Sequence, residues 1–165
     1  MLYFLFALPL SVALVALQST VLNLLTFAGG HPDLIIVLLV LLTIYANYDF
    51  ALVVAVIAGP LIDAVSGMPL GVSVIPLVSV VLLTHVGGKA IFGARLGWPI
   101  IVIFFSILLS GVITITELHL IGWRLPWQNI VLNSLFPTAF LNALLAAILY
   151  LPVVLFGERR DLHLR

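Results

Sequence analysis

The sequence predicts an all-α integral membrane protein, a single bundle of six transmembrane helices, on three observations. Hydrophobic side chains make up 64% of the 165 residues and charged ones 7%, with a mean hydropathy of +1.38. The apolar residues fall into six stretches that approach spanning length, and the basic residues collect in alternate connections. A soluble domain carries about 25% charged residues, so this chain has too little polar material to coat a surface facing water.

A spanning helix needs about 20 apolar residues, because a backbone polar group left unpaired in hydrocarbon costs several kcal/mol. The first stretch, residues 2–27, has no charge ahead of it and no small-residue cleavage pattern, and is expected to remain as a span. It stops at Ala28, Gly29 and Gly30. The second, residues 32–46, opens at His31, Pro32 and Asp33. Proline suits a first helical turn and an acid there complements the helix dipole, so Pro32 and Asp33 read as a helix start. Asn47, Tyr48 and Asp49 make a short turn into the third stretch, residues 50–64, and the fourth covers residues 70–86. The second to fourth are short, which leaves upright packing, local bilayer thinning or partial re-entry open. The fifth covers residues 96–120 and the sixth residues 130–156. Pro60, Pro76, Pro99, Pro137 and Pro152 sit in or at the ends of these runs, so bent helices are expected.

With both termini cytoplasmic, Lys89, Arg95, Arg159, Arg160 and Arg165 fall on the inner side and Arg124 alone on the outer side. That bias follows the positive-inside rule, and Trp123 and Trp127 beside Arg124 suit the headgroup region. Six basic and six acidic residues give no net charge and no basic patch for nucleic acid. The absence of cysteine removes disulfides, thiolate metal sites and cysteine nucleophiles.

The most distinctive local sequence runs from Gly59 through Pro60, Leu61, Ile62, Asp63, Ser66, Gly67 and Pro69 to Leu70 and Gly71. It resembles the signature of the MreD family, small multi-span membrane proteins that determine rod shape in bacteria. In that family a span ends apolar-apolar-Asp, Ser-Gly follows after two residues, and Leu-Gly opens the next span. Leu61, Ile62, Asp63, Ser66, Gly67, Leu70 and Gly71 occupy those positions here. Pro32 and Asp33 at the second span, Asn133 and Pro137 in the last, the chain length and a short basic tail are similar too.

The resemblance implies a non-enzymatic scaffold of the cell-elongation and peptidoglycan-synthesis machinery (the elongasome) in the bacterial inner (cytoplasmic) membrane, with no cofactor. Its implied partners are MreC, through MreC the glycosyltransferase RodA and its class B penicillin-binding transpeptidase, and the MreB filament on the cytoplasmic side. The implied fold is similar to the six-helix substrate-binding (S) components of vitamin transporters, a likeness that carries no function.

Asp63 has two readings. An ionisable group in a span is a functional candidate by default, and an acid near a helix end also serves as a cap for free N–H groups of the turn that follows. The expectation is that Asp63, Ser66 and Gly67 shape the turn ordering the third and fourth helices, and that the groove they leave seats MreC. Glu117 and His119 stand two apart and cannot share a helix face for one metal, so both are expected as interfacial polar residues. His85 is expected at a helix interface, and the lone Ser79, Ser106 and Ser110 are expected to bond back to their own helices. Gln18, Ser19, Thr20 and Asn23 in the first span, and Asn129, Asn133 and Asn142 in the last, are expected to pack against other helices. Gly93 and Gly97 have the spacing of a helix-pairing motif, but Arg95 between them places them in a loop.

Two rival functions compete with the scaffold. A small-molecule-binding subunit of a vitamin or cofactor transporter needs convergent polar groups, for which Asp63, Gln18, Asn23, Glu117 and His119 are the candidates. An enzyme acting on lipid through Asp63 and His85 requires both in one cavity, although the topology sets them toward opposite faces. No catalytic-triad, zinc-protease, phosphate-loop or dinucleotide-binding pattern is present.

Overall fold

The computed structural model of the chain describes residues 2–20, 29–90, 98–124 and 126–161. The end of the first expected span with Asn23, the connection containing Gly93, Arg95 and Gly97, and residues 162–165 of the tail lie outside them. Among the described residues every regular element is helical: α1 (Leu2–Thr20), α2 (Leu34–Tyr45), α3 (Tyr48–Ser66), α4 (Val74–Ala90), α5 (Trp98–Leu120), α6 (Trp127–Ile130) and α7 (Phe136–Asp161). A π-helical turn, Val131–Leu135, joins α6 to α7 as one rod. Tyr48–Ser66, Pro99–Leu120 and Trp127–Ile148 are long and apolar enough to cross a membrane, and Leu5–Thr20, Leu34–Tyr45 and Val74–Gly87 are shorter apolar helices.

Helix α2 is the hub, touching α1, α3, α4, α5 and α7. Its buried Ile35, Ile36, Val37, Leu39 and Val40 cover more than half of the helix circumference, and the other residues up to Ile44 are half-buried, as expected of a helix largely surrounded by protein. On α3, Ala51, Ala55 and Gly59 follow at four-residue intervals beside Ala58, all buried. Lipid already solvates apolar surface, so helices associate here through close contact, and small residues permit it. A Cβ on Gly59 would lie 2.9 Å from the Cα of Val74, so α3 and α4 touch backbone to backbone there. Gly59→Ala gains about 1 kcal/mol of helix propensity, but it must push α3 and α4 away from each other, at a cost of about 1–3 kcal/mol. The clash is expected to win, lowering the melting temperature in detergent.

Several boundaries differ from the sequence expectation. Helix α3 begins at Tyr48, ahead of residue 50, because the Oδ1 of Asn47 accepts from the N–H groups of Asp49 and Phe50 at 2.8 and 3.3 Å. Pro76 and Pro99 fall in the first turns of α4 and α5, where the missing N–H costs nothing, so neither kinks its helix. Pro60 lies inside α3. Trp127 opens α6, ahead of the expected start of the last stretch at residue 130.

The largest difference concerns the second span. Pro32 and Asp33 do not form its first turn. Helix α2 starts at Leu34, and Asp33 is its N-cap, with Oδ1 accepting from the Ile36 N–H at 3.2 Å. The residues before it lie along α7. Gly29 (φ 82°) abuts the Asn133 carbonyl, and a Cβ on Gly30 would lie 2.6 Å from the Pro137 carbonyl carbon. The His31 N–H donates to Thr138 Oγ1 at 3.3 Å, and the Asp33 N–H to Asn142 Oδ1 at 2.7 Å. From Asn133 to Asn142 is about 13 Å of helix, which the four steps from Gly29 to Asp33 reach only when nearly extended. The 12 residues of α2 add about 18 Å. The two pieces together match the ~30 Å of hydrocarbon that α2 alone cannot cross.

Pro137 explains some of this fit. It has no N–H to give the Asn133 carbonyl four residues back, the preceding turn relaxes into π geometry, and Gly29 packs against the freed carbonyl.

Candidate functional site

The site grows from the last turn of α3. Asp63 is completely buried, and its carboxylate clamps the connection to α4. Oδ2 accepts from the Gly71 N–H at 2.7 Å, both oxygens share the Ser73 N–H at 3.1 and 3.3 Å, and Oδ1 accepts from Ser73 Oγ at 2.5 Å. The Asp63 backbone carbonyl accepts from the N–H groups of Gly67 and Met68. Gly67 ends the helix in the left-handed conformation (φ 70°), the usual glycine C-cap. One residue therefore holds both ends of the turn.

Ser66 and Leu70 lie outside this clamp. Ser66 Oγ donates back to the Ile62 carbonyl of its own helix at 2.7 Å and is exposed, and Leu70 projects at 76% exposure. Leu70 and Gly71 do not open the fourth span as the family pattern implies. They belong to the turn, because the carboxylate binds the Gly71 and Ser73 amides in a non-helical path and Gly71 has φ 102°. Helix α4 begins three residues later, at Val74.

Ser73 completes the clamp, and the sequence reading does not single it out. Its signal is a hydroxyl residue directly ahead of an apolar helix with proline in the first turn, the pattern of an N-cap. Glu117 also differs from expectation: its carboxylate oxygens are covered by protein and have no hydrogen-bond partner. His119 points elsewhere and is exposed.

A second polar cluster holds the start of α2. Gln18 of α1 donates to Asp33 Oδ1 and accepts from the Ile35 N–H, both at 3.2 Å. Asn142 of α7 donates to the carbonyls of His31 and Thr138 at 3.1 and 2.8 Å. A cavity of about 140 Å³ lies between the two clusters, lined by Gln18 and Ser19 of α1, Ile35 of α2, and Ile62, Val65 and Ser66 of α3.

The remaining candidates do not converge. His85 stacks on Tyr48, ring centroids 4.1 Å apart, at the start of α3. Asp63 lies 15 residues further along α3, about 22 Å away, so the two share no cavity. Ser110 bonds back to the Ile107 carbonyl at 3.3 Å, but Ser106 Oγ is buried with no partner, contrary to expectation. Among the described residues no group of three His, Asp or Glu side chains could hold a metal ion. The carboxylate of Asp63 is occupied by amide and hydroxyl donors, an arrangement that fixes backbone.

No curated relative and no solved structure matches the chain. The sequence model for rod shape-determining protein MreD matches residues 1–160, nearly the whole length. The chain, a multi-span helical bundle whose third and fourth helices are joined through Asp63, Gly67 and Gly71 of that signature, belongs to the MreD family.

Proposed function

We propose that the chain is a non-enzymatic scaffold of the elongation machinery in the bacterial inner membrane, with both termini cytoplasmic. It binds MreC and, through MreC, RodA and the class B penicillin-binding transpeptidase, with MreB filaments on the cytoplasmic side. The family membership supports a role in rod-shape determination. The observation that carries the binding reading is the clamp beside an open cleft. Asp63 commits its hydrogen bonds to rigidity, while Val65, 60% exposed, and Ser66 face outward from the same turn. A rigid rim next to a 140 Å³ recess offers a preformed notch for an apolar side chain of a partner helix that packs across α1 and α3, with little ordering cost.

A vitamin-binding role finds less support, although a six-helix layout is common to both readings. Gln18 is engaged with Asp33 and Ile35, Asp63 with Gly71 and Ser73, and His119 faces outward, so these polar groups do not meet around a ligand.

Filling the cleft tests the proposal. Val65→Trp is expected to leave the melting temperature unchanged and to reduce copurification of MreC from native membranes about tenfold. Wild-type recovery of MreC together with normal rod shape would refute this seat.

A further inference from the structure

A second groove lies on the other side of the bundle, between α5 and the rod that begins at Trp127. Val112, Ile115, Thr116 and His119 form one wall and Trp127 and Val131 the other, around a volume of about 500 Å³. The α5 residues recur at three- and four-residue intervals, a single helix face. Thr116 Oγ1 donates to the Val112 carbonyl at 2.7 Å, so its hydroxyl is turned back onto the helix and the wall is apolar. The groove is a wedge. At its closed end the Leu135 side chain fills the space a Cβ on Gly111 would need, and it opens toward α6, which α5 hardly touches. The π turn supplies Val131, so the widened helix contributes to the wall.

Dimensions and charge decide the occupant. From Val112 to His119 the wall runs about 10 Å. A partner helix of 10–12 Å diameter crossing ~30 Å of hydrocarbon cannot seat in a recess that closes so soon. An acyl chain entering from the headgroup level can, and the volume lies in the range of small-molecule sites. The open end carries His119, Trp127 and, in the connection joining the two walls, the exposed Arg124. The sequence from His119 to Trp127 contains no acid. Glu117, the nearest one along the chain, has its carboxylate oxygens covered by protein and takes no part in the groove wall. Arginine pairs with phosphate, and tryptophan favours the headgroup interface.

We propose that this groove binds one anionic phospholipid, its acyl chain between α5 and the π turn and its phosphate at the Arg124 end. The site is independent of the MreC seat, which lies among α1, α2 and α3.

The test uses the full chain in mild detergent with dioleoylphosphatidylglycerol or dioleoylphosphatidylcholine, counting bound lipids by native mass spectrometry. The wild type is expected to retain one phosphatidylglycerol with about tenfold preference over phosphatidylcholine. Arg124→Gln should lose the headgroup preference while keeping the melting temperature, and Thr116→Trp, which fills the wedge, should lose the bound lipid of either kind. An unchanged preference in Arg124→Gln, or unchanged retention in Thr116→Trp, overturns the proposal. So does a photocrosslinker at Thr116 that captures protein rather than lipid in native membranes.

Discussion

Asp63→Ala is expected to destabilise the bundle by about 3–5 kcal/mol, because it strands every donor the carboxylate now satisfies. The Gly71 N–H, the Ser73 N–H and the Ser73 hydroxyl all point at one buried group. Each donor left dry costs about 1–3 kcal/mol, and partial access of water or detergent at the turn keeps the total below the simple sum. Asp63→Asn keeps a carbonyl acceptor but turns an amide toward one of the donors, so its loss should be intermediate. Ser73→Ala removes a hydroxyl along with its bond and should cost about 1 kcal/mol. Unfolding of the purified protein, followed by heat or by SDS titration, ranks the three. Equal melting of wild type and Asp63→Ala would show that the clamp does not hold α3 to α4. Comparison with Val65→Trp separates structure from recognition: the clamp variant should lose stability and partner together, the cleft variant the partner alone.

The helical class and the approximate positions of the apolar helices were legible because apolar runs are properties of consecutive residues. Asp63 was legible too, as an acid at the edge of an apolar run with glycines beyond it. What the sequence hid depends on contacts distant along the chain. Glu117 reads as an interfacial acid until α5 packs and covers its oxygens. Pro32 and Asp33 read as a first helical turn by local rules, and only Asn142, more than a hundred residues away, holds the Asp33 amide in a non-helical path. The shortness of α2 had three readings open. The structure shows instead an extended segment ahead of α2, held along α7, whose length added to that of α2 approaches spanning length. Non-helical backbone at membrane depth is tolerated only where protein satisfies it, and hydropathy carries no trace of that.

That segment gives the second large effect. Asn142→Leu is expected to cost about 2–4 kcal/mol, although leucine matches asparagine in size and suits the membrane better. The reason is the identity of the groups it abandons. Asn142 is fully buried, accepts from the Asp33 N–H at 2.7 Å and donates to the His31 carbonyl at 3.1 Å. Both are main-chain groups in a stretch with no helix of its own to pair them. Side-chain hydrogen bonds in membrane proteins average well under 1 kcal/mol when the freed groups find other partners. Here the extended path along α7 removes that escape, which places the expected loss above the average. The signature is local as well as global. Hydrogen exchange of the amides of Asp33, Ile35 and Ile36 should accelerate, because the cap, the Gln18 contacts and the Asn142 bond converge on them. The amides of α5 near Ile103 and Ile107, buried in the same core, should remain protected. Uniform acceleration through both regions would mean that Asn142 stabilises the bundle only through packing. Unchanged exchange at Asp33 would mean that the segment before α2 holds its path without Asn142.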